Sequence, residues 1–144
     1  MGLSLEERQA FLAEPHVAAI SMSAGVGRGP LTVPIWYYYT AGGELWIPTG
    51  KGSRKHRLIE AAGRLTLMVD RERPTVRYVS VEGPVTKIGA LAHDQHRQVA
   101  ARYIPEELLE GYLKYAESYG EQIAVYVSPE HWLSADLGGP ENWG

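Results

Sequence analysis

The chain contains no cysteine in 144 residues. A disulfide framework, a thiol nucleophile and a thiolate zinc site are therefore excluded. It has no widespread basic excess: the formal net charge is -3, which argues against general nucleic-acid binding. No stretch approaches the roughly eighteen apolar residues that a membrane span requires. The N-terminal residues Met1 to Arg8 are charged and lack the apolar core of a signal peptide, so a cytoplasmic location is expected. No internal repeat, linker or low-complexity segment interrupts the chain, and its length fits a single domain over 1–144. No nucleophile-elbow sequence is present, so hydrolase chemistry has no support.

What is present is a series of short strands with helices inserted among them. Ser4 and Glu7 have capping-box spacing, opening a short helix that ends near Pro15. Strands are expected at His16–Ser23, Leu31–Thr40, Glu44–Pro48, Arg64–Asp70, Val76–Ile88 and Gln122–Ser128, the last extended by Glu130–Leu137. Gly83-Pro84 inside the fifth strand signals a bulge or a barrel corner. Helices are expected from Ser53 to Gly63, from about Asp94 to Arg102, and from Pro105 at a first helical position to Tyr119. Hairpin spacing with inserted helices predicts a mainly β (α+β) fold, an antiparallel barrel with peripheral helices.

The most informative segment is Thr49-Gly-Lys-Gly-Ser-Arg-Lys-His-Arg-Leu-Ile59. Four of the fourteen Lys and Arg residues lie between positions 51 and 57. They fall where a strand hands over to a helix. A helix N-terminus already carries about half a positive charge and free N–H groups, so cations there call for an anion. Phosphate answers both needs. Helical spacing puts Lys55 on the face of Leu58 and Ile59, which must face the core, whereas Arg57 reads as a solvated residue.

Other candidates are weaker. Trp36-Tyr-Tyr-Tyr39 is strongly β-forming and puts aromatics on both faces of its strand, as expected of a strand covered on both sides by core and a dimer interface. Gly25-x-Gly-x-Gly29 reads as a turn, with no helix opening after it. His93 and His96 have i, i+3 spacing but lack a third ligand, so no metal site is expected. Glu82 alternates with apolar neighbours and reads as outward-facing, as does Tyr78.

The ordered pieces Pro30–Tyr39, Leu45–Thr49, Lys55-x-x-x-Ile59, Arg64–Asp70 and Tyr78–Val85 resemble the split β-barrel flavin and deazaflavin oxidoreductases. These form the pyridoxamine 5'-phosphate oxidase-like superfamily. The resemblance covers roughly residues 4 to 135 and is similar to the actinobacterial branch that uses the deazaflavin coenzyme F420. It implies a six-stranded antiparallel split barrel and a homodimer with two cofactor sites at the subunit interface. Thr49, Lys51, Ser53, Arg54 and Lys55 would hold the cofactor phosphate. Val33, Pro34, Ile35 and Trp36, with Ile47 and Pro48, would lie along the ring, and Tyr78 and Val79 would face the pocket. Trp132 would reach from the partner subunit, and Arg28 would meet an acidic cofactor tail. The chain ends Gly-Gly-Pro-Glu-Asn-Trp-Gly, without the Arg-Leu tail of authentic pyridoxamine phosphate oxidases, so vitamin B6 oxidation is not expected.

Hydride transfer from a deazaflavin needs little from side chains, which suits a chain with no recognisable catalytic acid–base constellation. The implied activity is an F420-dependent reduction of an unsaturated small molecule, such as an enone, a quinone or a linear tetrapyrrole. The alternatives are an FMN-dependent oxidoreductase and a non-catalytic flavin-, F420- or haem-binding protein.

Overall fold

The computed structural model describes residues 2–144. Its centre is an eight-stranded antiparallel sheet in the order β2-β1-β5-β6-β7-β4-β3, with β8 paired to β6. The strands are β1 (Ala18–Met22), β2 (Leu31–Ile35), β3 (Tyr38–Tyr39), β4 (Leu45–Gly50), β5 (Arg64–Arg71), β6 (Arg77–Ala90), β7 (Gln122–Val127) and β8 (His131–Asp136). The helices are α1 (Leu5–Ala13), α2 (Arg54–Ala62), α3 (His93–Ala101) and α4 (Glu106–Ala116).

The sheet curls because β6 serves two partners. Its first half pairs with β5 up to Pro84 and with β8 up to Glu82. Its second half pairs with β7, after a register shift between Val85 and Lys87. The corner expected at Gly83-Pro84 is therefore real, and Gly83 is required there. A Cβ at Gly83 would lie 1.8 Å from the Ser128 carbonyl oxygen. Alternate residues of the curled strands close the core: Ile20, Leu45, Ile47, Leu67, Val69, Val79, Val81 and Val125 are all essentially inaccessible.

The division into strands is finer than the six expected. The second expected strand is interrupted at Trp36 and Tyr37, giving β2 and β3. There Tyr37 leaves the ladder, and its N–H donates to Tyr103 Oη at 3.2 Å. Its phenol donates to the carbonyls of Leu12 (2.6 Å) and Glu14 (2.9 Å), anchoring the end of α1. The run Trp36–Tyr39 is covered on both faces, as expected, but within one chain. Tyr37 and Tyr39 enter the barrel core. Trp36 and Tyr38 pack among Trp46, Val99 and Tyr103. The final strand also divides, because Ser128–Glu130 leaves the sheet and β8 returns along β6 instead of extending β7.

The helix ends follow local chemistry. Ser4 and Glu7 form a reciprocal capping box on α1. Ser53 caps α2, and Gly63 closes it in the left-handed region with φ 70°. Pro105 proves to be the N-cap of α4 rather than its first helical residue, so Glu106 and Glu107 open the first turn.

Candidate functional site

The opening of α2 is shaped by its own loop. β4 ends at Gly50, and the chain turns through Gly52, whose φ of 76° favours glycine. Lys51 N–H donates to Glu121 O at 2.9 Å and Ser53 N–H to Gly50 O at 3.1 Å. Gly52 N–H donates to His56 Nδ1 at 2.9 Å, while Ser53 Oγ accepts from His56 N–H at 3.2 Å. Because Nδ1 is the acceptor, the ring proton lies on Nε2, which faces Glu60 Oε1 at 3.0 Å. His56, expected beside the basic cluster, is thus the residue that closes this loop.

The backbone N–H groups of Arg54 and Lys55 make no hydrogen bond among the described residues, and the first turn contains no acid. Lys55 is half-buried, and Lys51 and Arg54 are exposed. Lys51 Nζ meets Glu121 Oε2 at 3.2 Å, both largely in solvent. Thr49 lies just beneath in the strand, buried, with its Oγ1 unpartnered. Free donors, the side chains of Arg54 and Lys55 without an ion pair among the described residues, and no carboxylate in the first turn make a site suited to an anion.

A cleft of about 300 Å³ lies next to it. Pro34, Ile35, Trp36 and Pro48 line it together with Val17, so four of the expected ring-lining residues come together. His96 on α3, Tyr112 on α4, Tyr119 and Gln122 complete its lining. Trp36 stacks on Tyr103 at 4.8 Å and 11°, and Tyr112 tilts against it at 5.4 Å. His96 Nε2 lies 3.3 Å from Tyr112 Oη, so His96 is turned to a tyrosine and not paired with His93 toward a cation. Gln122 pairs with Gly50 in the β4–β7 register. The cleft therefore adjoins the α2 loop directly.

The remaining expected residues lie elsewhere. Val33 lines a neighbouring hollow of about 330 Å³ that shares Val17 and Pro34 with the cleft. The Ile47 and Val79 side chains are sealed in the barrel core. Tyr78 stands on the outer sheet face, registered between Asp70 and Ala135. Trp132 packs on its own barrel, with the Arg8 guanidinium 4.7 Å above its ring. Arg28 borders a separate hollow of about 360 Å³ with Arg64 and Glu82. Glu82 faces outward as expected and accepts from Arg64 Nη2 at 3.2 Å. Sequence reasoning missed Val17, His96 in this role, Tyr112, Tyr119 and Gln122. Only the helical spacing of Tyr112 from Leu109 and Leu113 hinted that its ring would lie near packed residues.

Several solved structures share the fold. A protein described as an F420 reductase superimposes with TM-score 0.70 at 18% identity, over 87% of this chain and 94% of its own. A conserved hypothetical protein from Mycobacterium tuberculosis gives TM-score 0.70 at 19% identity, over 93% and 85%. An FAD-binding protein from Mesorhizobium loti gives TM-score 0.65 at 16% identity, over 96% and 98%. No curated protein matches the chain. Residues 4–133 match the pyridoxamine 5'-phosphate oxidase family over nearly the whole barrel, and the chain belongs to that family.

Proposed function

We propose that this protein is an F420-dependent oxidoreductase that reduces an unsaturated small molecule. The observation that carries the reading is the α2 opening: the free N–H groups of Arg54 and Lys55 beside Lys51, Arg54 and Lys55, with no acid in the turn. These residues would hold the coenzyme phosphate. Ser53 keeps the helix start in place through its cap, and Gly52 and His56 fix the loop. Next to that anchor, Pro34, Ile35, Trp36 and Pro48 offer an apolar lining for the ring. When bound, the deazaflavin supplies the hydride itself. The chain's own work is to anchor the phosphate, orient the ring and exclude water. Arg54 is exposed, an extra cation beyond the phosphate's needs, which favours a coenzyme with an acidic tail over FMN.

The same reading makes the protein a homodimer. The register aligns Pro34, Ala19, Met68, Ser80 and Leu133 in one row across β2, β1, β5, β6 and β8 on the outer sheet face. Leu133 is 65% exposed in the single chain, and a second protomer would cover this row and Tyr78 beside it. Among the described residues no helix is long and apolar enough to cross a membrane.

The test is a parallel titration of the purified protein with F420 and FMN, followed by oxidation of the reduced, bound coenzyme with an acceptor panel. Tighter binding of F420, with turnover, is expected. Preferential binding of FMN would transfer the reading to a flavin enzyme, and tight binding without turnover would make the protein a coenzyme carrier.

A further inference from the structure

Two helices of this chain open on the same device built from different chemistry. In α1 the N-cap Ser4 Oγ accepts from Glu7 N–H at 3.1 Å, and Glu7 Oε1 accepts from Ser4 N–H at 2.9 Å. In α2 Ser53 Oγ accepts from His56 N–H at 3.2 Å, and His56 Nδ1 accepts from Gly52 N–H at 2.9 Å. The ring reaches one residue further back because Ser53 N–H already donates to Gly50 O. The third helical position of such a box is ordinarily Glu or Gln. α1 obeys this and carries Glu6 and Glu7 in its first turn, the charge that a helix N-terminus favours. α2 has a histidine there and no acid in its first turn. The carboxylate that completes the arrangement is one turn further along the helix, with Glu60 Oε1 at 3.0 Å from His56 Nε2.

Resting on the coenzyme reading above, we propose that His56 is a specificity-determining positioning residue of the phosphate seat. It supplies the acceptor that closes the loop, as a glutamate would, without placing a negative charge beside the free N–H groups of Arg54 and Lys55. A neutral imidazole suits this task because one nitrogen accepts while the other donates. Glu60 takes the Nε2 proton and leaves the Nδ1 lone pair for Gly52. Only 13% of the His56 side chain is exposed, so the ring is held in this orientation by its surroundings as well as by its two bonds. A glutamate at position 56 would answer Lys51, Arg54 and Lys55 from within the chain and repel an incoming anion. A purely structural cap would gain from that exchange, since acids in a first turn stabilise a helix. Histidine in place of glutamate therefore gives up helix stability and keeps the seat open to a phosphate.

The pair His56→Gln and His56→Glu tests the proposal, since both side chains can accept from a loop N–H and they differ by one charge. F420 and inorganic sulfate are each titrated into the full chain, and stability is read by urea unfolding. His56→Gln is expected to keep both affinities within about two-fold of wild type, because the loop retains a neutral acceptor. His56→Glu is expected to be at least as stable as His56→Gln, yet to bind both ligands about ten-fold more weakly, with a gap that narrows as salt is added. Equal affinity in the two variants, at the wild-type level or below it, would overturn the proposal. Ring-nitrogen NMR of the wild type needs no variant to fold. It should show Nδ1 unprotonated and Nε2 protonated at the pH of the titrations; the opposite tautomer, or a doubly protonated ring, would also overturn the proposal. If F420 binds the wild type and the charge gap is missing, this inference alone fails. If sulfate shows the gap and F420 does not bind, the coenzyme reading alone fails. Binding of neither ligand by the wild type would sink both.

Discussion

The α2 opening and the aromatic cleft adjoin each other and are built in opposite ways. The opening is contiguous: Thr49 through Arg57 supply the strand end, the loop, the cap and the cations. The cleft is assembled from β2, β4, α3, α4, β7 and the segments flanking them, with lining residues that span positions 17 to 122. One region is cationic and held by local backbone bonds; the other has no Lys, Arg, Asp or Glu in its lining and is built on aromatic packing. The difference teaches that a cationic helix opening can be written into one short segment, whereas an aromatic cleft needs the whole fold to be in place.

The largest expected effect separates the two directly. Lys55→Ala removes the charge-assisted contact proposed with the coenzyme phosphate, worth about 1.5–3 kcal/mol, so coenzyme affinity should fall about ten-fold or more. Titration of wild type and variant with F420 reads the change. Unchanged coenzyme affinity would remove Lys55 from the site.

Tyr37→Phe attacks the cleft from behind. The Tyr37 hydroxyl serves the carbonyls of Leu12 and Glu14, and its loss should cost about 1–3 kcal/mol in urea unfolding. This change should leave the α2 loop untouched, so a variant that still folds should keep its coenzyme affinity. Ser53→Ala makes the reverse cut. Loss of the α2 cap should cost about 1 kcal/mol of stability and should weaken coenzyme binding.

A smaller effect is expected at Glu121, which competes for Lys51 from an exposed position. Exposed pairs contribute roughly 0–1 kcal/mol, so Glu121→Gln should raise coenzyme affinity only about two-fold at low salt. The smallest effect lies outside both regions. Asp136 accepts from Thr75 Oγ1, Gly138 N–H and Arg77 Nε. These bonds, Thr75 first, hold its carboxyl down from 3.8 to about 2. A depressed folded-state pKa stabilises the fold above pH 3.8, and that contribution is lost as pH falls toward 2. Acid unfolding should therefore steepen in that window, and Asp136→Asn should flatten it.

These contrasts also explain what was legible in the sequence. Ser4 with Glu7, Ser53 and Gly63 act through bonds within four residues, and each reads directly from its neighbours. The corner in β6 was visible because Gly83-Pro84 breaks the pattern locally. The interruption at Trp36–Tyr37 was not, because the group that satisfies Tyr37 N–H belongs to Tyr103, far along the chain. His96 invited comparison with His93 by spacing, yet its partner is Tyr112 on another helix. Ile47 and Val79 lie on strands as expected, but strand alternation turns their side chains into the core.

The central claim is that a phosphate of a bound coenzyme neutralises the cations at the start of α2. It is tested most directly by titrating the protein with F420 and with the same deazaflavin lacking its phosphate. The account predicts that the phosphate-bearing form binds about ten-fold or more tightly, with the advantage shrinking as salt is added. Equal affinity for the two forms would contradict it.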